Sequence, residues 1–130
     1  MTTEIEQKDW QQFCERLQES CEGALVTIEV ENAAGRKLVI AHDVPLRRVL
    51  LDNLTDPCNT CLVLEAGLPN ERPIRHTVLE PIHIRLVQTG VADRYNRLQV
   101  PAENGNTVVT LHPGIPKEAL SGLELEPARH

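Results

Sequence analysis

Two cysteines separated by two residues, Cys58 and Cys61, form the pattern in the sequence with the clearest chemical interpretation. Two thiols at this spacing can close a redox disulfide or supply half of a zinc site. A redox pair of the thioredoxin type lies at the start of a helix, whose dipole lowers the thiol pKa, whereas residues 62–64 are typical of a strand. A structural zinc site requires four ligands, and the sequence has no second pair of cysteines at this spacing. We therefore interpret Cys58 and Cys61 as small side chains at a turn, and keep them as the candidate metal or thiol site.

The remaining cysteines, serines and glycines do not form a catalytic pattern. Cys14 and Cys21 lie seven residues apart on a predicted helix, or ~10.5 Å along its axis at 1.5 Å per residue, which is too far for a disulfide. Neither Ser20 nor Ser121 lies in a G-x-S-x-G motif, and the seven glycines form no phosphate-binding loop. The sequence therefore predicts no catalytic residue and no cofactor site.

The histidines are interpreted as separate surface or hydrogen-bonded residues. They are His42, His76, His83, His112 and His130. A zinc site combining the Cys58 pair with one of them is conceivable, but nothing in the spacing selects a histidine.

The first element is a helix with one apolar stripe. Its apolar side chains follow the helical period and are Trp10, Phe13, Cys14, Leu17 and Cys21. Asp9, with Gln12 three residues later, is one candidate N-cap, and Thr3 with Glu6 is a competing capping box. The helix is therefore predicted to begin at residue 4 or 9 and to end at 22, before Gly23, with its stripe against a sheet.

After Gly23 the apolar period changes to two, which predicts strands. Residues 24–30 and 37–43 form a predicted hairpin, Pro45 is expected to interrupt the ladder, and residues 60–66 form a further strand. Residues 46–54 fit either a helix or a strand, and we favour the strand. Residues 74–87 form one long extended stretch bent at Pro81, and the last two strands, at 96–100 and 107–112, flank an Asn104-Gly105 turn.

These elements predict an α+β fold, in which the N-terminal helix packs on a five- to six-stranded, mainly antiparallel sheet. The sheet is expected to be bent or to form a half-open barrel. We expect residues 1–112 to form a single α+β domain and residues 113–130 to form a loosely ordered C-terminal tail.

Composition and charge limit the classes of function. Only Trp10, Phe13 and Tyr95 are aromatic, so the core must be aliphatic. The net charge is −6 and no segment is strongly basic, which argues against nucleic acid as a partner. No apolar run approaches the ~20 residues of a membrane-spanning helix, so no membrane contact is expected. The N-terminal residues do not have the pattern of a secretory signal, and four cysteines without one are typical of reduced thiols, which predicts a cytoplasmic protein.

Three segments together resemble an uncharacterised bacterial family, a domain of unknown function. They are the W-x-x-F pattern of Trp10 and Phe13, the strand at 26–30, and an H-x-x-x-x-P-x-x-I segment from His76 through Pro81 to Ile84. The resemblance covers residues 9–112 and implies no activity, because the family has none assigned.

Two hypotheses of function follow. The first is a non-catalytic interaction module that self-associates, with a homodimer as the candidate assembly. An aliphatic sheet with one covering helix leaves a surface for a second copy or an unknown protein partner. In this hypothesis the stretch at 74–87 pairs across the dimer. The alternative is a thiol redox or metal-binding protein that uses Cys58 and Cys61. An enzyme acting on a small molecule ranks third.

Overall fold

The described part of the chain contains nine strands and one α-helix. The computed structural model describes residues 2–53, 60–88, 94–103 and 105–127. The helix α1 spans Trp10–Cys21, and short 3-10 helices span Gln7–Asp9 and Lys117–Leu120. The strands are β1 (Thr2–Ile5), β2 (Leu25–Glu31), β3 (Lys37–Asn53), β4 (Thr60–Ala66), β5 (Ile74–Leu79), β6 (Ile84–Val87), β7 (Arg94–Ala102), β8 (Gly105–Pro116) and β9 (Leu125–Pro127).

The nine strands form one sheet in the order β5-β4-β3-β2-β8-β7-β6-β1-β9, and every pair is antiparallel. The prediction of an α+β fold with an antiparallel sheet is confirmed. The prediction of five to six strands is wrong, and the sheet does not close into a barrel. Two strands of four and three residues, β1 and β9, were too short to produce a period-two pattern.

Helix α1 buries the predicted stripe against β3 and β8. It begins after Asp9, as one of the two alternatives predicts, and the Thr3 alternative is wrong because that residue lies in β1. The Asp9 carboxylate does not cap the helix. Its Oδ2 instead accepts a hydrogen bond from the backbone N–H of Glu124 at 3.0 Å, which ties the helix start to the C-terminal segment.

Strand β3 is bent and belongs to both halves of the sheet. Its first half pairs with β2 and its second half with β4. At the bend, His42 and Asp43 lie opposite the single residue Thr27, whose Oγ1 accepts a hydrogen bond from the Asp43 N–H. The backbone of Asp43 has a φ of 52°, as residues in bulges often do. The expected interruption at Pro45 is wrong, because Pro45 lies within β3, next to this bulge. The favoured strand assignment of residues 46–53 is confirmed.

Gln18 of α1 fixes a second irregularity in β3. The register between β3 and β4 shifts at Arg47, where a strand backbone cannot satisfy all its polar groups. The Gln18 side chain donates to the Arg47 carbonyl at 2.9 Å and accepts from the Val49 N–H at 2.7 Å. One side-chain amide therefore replaces two ladder hydrogen bonds and joins the helix to the bent strand.

The stretch at 74–87, predicted as one bent strand, is two strands in different parts of the sheet. Strand β5 pairs with β4, whereas β6 lies between β1 and β7. Between them Glu80 has a φ of 48° and Pro81 bridges to Ala102. At this point the chain passes from β5, at one end of the sheet, to β6, which lies near the other end.

The expected division between a domain and a tail at residue 112 stays a prediction. Strand β8 crosses that position and continues to Pro116, and β9 pairs with β1. The guanidinium of Arg16 on α1 donates to the carbonyls of Ala119 and Ser121. Gly114 lies so close to the Tyr95 carbonyl that a Cβ there would be 2.6 Å from its oxygen, so the contact requires glycine.

The core between α1 and the sheet is mainly aliphatic, as the composition predicts, and also contains three aromatic residues and two cysteines. The Trp10 ring is buried and its Nε1 donates to the Ile5 carbonyl at 3.0 Å. The Tyr95 hydroxyl lies 3.4 Å from the Thr3 hydroxyl. Among the described helices, none is long and apolar enough to cross a lipid bilayer.

Candidate functional site

Cys61 is buried in β4, between Asp52 of β3 and Leu79 of β5 in the register of the sheet. It is followed by a strand, as the sequence predicts, and not by a helix. Cys58 lies outside the described residues, so the geometry of the Cys58 and Cys61 pair is not part of the structure. Within the described ranges no group of three or more His, Cys, Asp or Glu side chains could hold a metal ion.

Cys14 and Cys21 lie in the core, as predicted, and burial makes both thiols poor nucleophiles. Burial raises the pKa of the Cys14 thiol to about 12 and the pKa of the Cys21 thiol to about 11. Because the thiolate is the reactive form, both side chains are inert at neutral pH. Neither contributes to a thiol site.

His76 and His83 lie in different environments. His76 is on the core side of β5, and its Nε2 lies 3.0 Å from the Thr107 hydroxyl of β8, across the core between the two parts of the sheet. Burial lowers the pKa of His76. His83 Nδ1 lies 3.2 Å from the Glu4 carboxylate, which also accepts from the Arg85 guanidinium at 3.2 Å. His42 and His112 are exposed, and His130 lies outside the described residues.

Strand β5 has an open edge. Among the described strands it pairs only with β4, and it forms one end of the sheet. The Glu80 N–H donates to the Thr60 carbonyl at 3.0 Å, so these two residues form a hydrogen-bonded pair. Since such pairs alternate along an antiparallel ladder, the N–H and C=O groups of Arg75, Thr77 and Leu79 point away from β4. We call these three residues the β5 edge.

The β5 edge also exposes apolar surface. Leu79 is 53% exposed, and Ile82, three residues along the chain, is 55% exposed. On the face of the sheet that carries Leu79, Val63 of β4 is buried and lies opposite Thr77. An open backbone edge next to exposed aliphatic side chains is the arrangement that favours pairing with another strand.

A polar groove lies elsewhere, on the face of the sheet opposite α1. It has a volume of about 210 Å³ and runs across β3, β2, β8 and β7. The charged and amide side chains that define this polar groove are Glu29, Glu31, Lys37, Arg97, Gln99 and Asn106. A second cleft, of about 230 Å³, shares Glu31 and Asn106 with it and extends toward the end of the sheet.

Residues 1–116 match a family of unknown function, DUF5335. The chain belongs to this family. The resemblance drawn from the sequence to a family of unknown function is confirmed, and the match extends beyond the residues on which that resemblance was based. No curated protein and no solved structure matches the chain. Membership in DUF5335 carries no activity, so the function of this member must be argued from its own surfaces.

Sequence reasoning on this DUF5335 member placed the pairing surface within the stretch at 74–87, without separating β5 from β6, and missed the polar groove. The alternation of Glu29 and Glu31 with buried or partly buried neighbours was a signal that the two carboxylates face outward together. Which side chains lie opposite them depends on pairing with β8, far along the chain, and no local pattern contains that information. The open edge of β5 likewise follows from the order of the strands.

Proposed function

We propose that this protein is a non-catalytic interaction module that self-associates through the β5 edge. The observation that carries the proposal is the open backbone of β5, with the exposed Leu79 beside it. An antiparallel pairing of β5 with β5 of a second copy would satisfy these groups and continue the sheet across the pair. The earlier hypothesis, in which the whole stretch at 74–87 pairs, is narrowed to β5, because both edges of β6 are already paired.

The geometry of β5 selects one register for this pairing. A twofold axis at Thr77 places Thr77 opposite its own copy and Arg75 opposite Leu79. All three residues of the β5 edge then exchange backbone hydrogen bonds, and the aliphatic stem of Arg75 covers Leu79. A register centred on His76 would instead bring Pro73, which has no N–H, opposite Leu79 and would place two histidines side by side. The Thr77 register therefore fits the surface better.

A second copy is favoured over a different protein because β5 is complementary to itself. In the Thr77 register, the direct pairs on the exposed face are Thr with Thr and Arg with Leu, and neither brings like charges together. The strand at the other end of the sheet, β9, is only three residues long and contains Pro127, so it offers little for strand pairing.

Sedimentation of the purified protein tests the proposal. We expect self-association at low micromolar concentration, and a single 14.5 kDa species over that range would contradict it. In Thr77→Pro the open edge loses one N–H while the ladder to β4 is kept, so association should be lost. Thr77→Ala keeps the N–H and is the matched control, which should associate like the wild type. Leu79→Lys provides a second test if Thr77→Pro does not fold.

The remaining proposals concern the compartment in which the protein acts and the kind of partner that it binds. We propose that it acts in the bacterial cytoplasm with another protein chain as its partner and without nucleic acid or membrane. The resemblance to a bacterial family and the free thiols of Cys14 and Cys21 support this proposal. The alternative, a redox or metal function of Cys58 and Cys61, has no support among the described residues, since Cys61 is buried and followed by a strand.

A further inference from the structure

The polar groove contains charged side chains of both signs that do not neutralise one another. Glu29 and Glu31 project from β2, Arg97 projects from β7, and strand β8 separates them. Among the described residues, none of these three side chains has an ion-pair partner within 4.0 Å. Glu29 lies opposite Val108 and Arg97 opposite Thr110, so the two residues are two strands apart and offset by two positions. At ~4.8 Å between strands and ~3.3 Å per residue, their Cα atoms are separated by roughly 12 Å. The β2 wall, with Glu29 and Glu31, is therefore acidic, although Lys37 of β3 lies opposite Glu31, and the β7 wall, with Arg97, is basic.

Two polar atoms in the groove are buried and lack a hydrogen-bond partner among the described residues. They are Nε of Arg97, a donor, and Oδ1 of Asn106, an acceptor. Buried polar groups in folded proteins are nearly always hydrogen-bonded, because leaving one unpaired costs the desolvation of that group. The groove therefore leaves one donor and one acceptor open to water or to a bound molecule.

The side chains that line the groove determine which chemical groups a bound molecule would carry. The Arg97 guanidinium is suited to a carboxylate, which it can bind through two parallel hydrogen bonds. The carboxylates of Glu29 and Glu31 and the Asn106 carbonyl are suited to an ammonium group. Val108 and Thr110 lie between the walls and offer a floor of one methyl-bearing and one hydroxyl side chain. No aromatic side chain lines the groove, so it lacks the stacking surface that a nucleobase would use.

We propose that the polar groove binds a small zwitterion of dipeptide size, with its carboxylate at Arg97 and its ammonium group at Glu29. A volume of about 210 Å³ equals about seven waters at ~30 Å³ each, which suits a short dipeptide. The cleft beyond Glu31 and Asn106 leaves room for a longer side chain at the ammonium end. The groove faces away from α1 and shares no residue with the β5 edge, so this proposal is independent of self-association.

Titration with glycylglycine, followed by the backbone amide resonances of the labelled protein, tests the proposal. We expect saturable shifts at Gln99, Asn106 and Val108, with millimolar affinity. N-acetylglycine lacks the ammonium group and glycinamide lacks the carboxylate, so each should bind at least about tenfold more weakly. Equal binding of all three compounds, or no saturable shift in the groove, would overturn the proposal.

Substitutions in the groove test which residue binds the carboxylate of the ligand and which binds its ammonium group. Arg97→Gln should weaken glycylglycine binding about tenfold or more, and Arg97→Lys should restore part of it. Arg72→Gln, in the exposed loop between β4 and β5, is the matched control and should bind like the wild type. Glu29→Gln tests the acidic wall in the same way if Arg97→Gln does not fold. Binding unchanged in both groove variants would show that the site lies elsewhere and would refute the proposal.

Discussion

The region covered by α1 and the end of the sheet at β5 differ in how their polar groups are satisfied. Under α1, the indole of Trp10 and the amide of Gln18 both bond to backbone groups of strands. At β5, every second residue directs its backbone N–H and C=O away from the sheet. The polar groups of the first region are satisfied within one chain, whereas the second region leaves backbone groups open to water or to another strand.

Because of this difference, the stability of the fold and the self-association of the protein should depend on different residues. Substitutions under α1 should lower the free energy of unfolding and leave the β5 edge unchanged. Substitutions at the β5 edge should change association and leave the unfolding of the monomer almost unchanged, because exposed side chains contribute little to stability.

Trp10→Ala should have the largest effect on stability. The ring is buried on the sheet and its removal also leaves the Ile5 carbonyl without a donor, so the free energy of unfolding should fall by about 3 to 5 kcal/mol. Urea unfolding followed by circular dichroism measures the loss. Gln11→Ala, at an exposed position on the same helix, should change stability very little. A loss of less than about 1 kcal/mol would be inconsistent with a buried Trp10.

Gln18→Ala should have the next largest effect. It leaves the Arg47 carbonyl and the Val49 N–H without their side-chain partner in a partly buried place, at a cost of about 1 to 3 kcal/mol. Gln18→Glu keeps the acceptor for Val49 and loses the donor, so it should fall between Ala and wild type. Urea unfolding is again the measurement, with the exposed Gln12→Ala as control. Equal stability of the Gln18 and Gln12 variants would show that this bridge does not stabilise the bend of β3.

His76 should make stability depend weakly on pH. Burial lowers its pKa in the folded state, so the unfolded chain binds the proton more readily. Stability should therefore be unaffected by this group well above pH ~6.5, the usual histidine pKa, and should fall as pH drops below it. The measurement is the difference in unfolding free energy between wild type and His76→Gln from pH 8 to pH 5. A difference that stays constant over this range would refute the assignment.

The same comparison shows what the sequence could predict. Helix α1 and strand β4 were predictable because a stripe of apolar residues and a short β-rich run bounded by turn residues are local signals. The continuation of β3 through Pro45 was not predictable, because it depends on Thr27 of the neighbouring strand and on Gln18 of the helix. For the same reason the sequence located the pairing surface only within the stretch at 74–87 and did not indicate the polar groove. The β5 edge depends on strand order, and the polar groove depends on register between strands distant in sequence.

The most direct test of the central claim is amide hydrogen exchange measured residue by residue at low and high protein concentration. Self-association through β5 predicts that the amides of Arg75, Thr77 and Leu79 become more protected as the concentration rises. The amides of His76 and Val78, which are directed toward β4 in both states, should change little and provide an internal control. Exchange of Arg75, Thr77 and Leu79 that is equally fast at both concentrations would contradict the account.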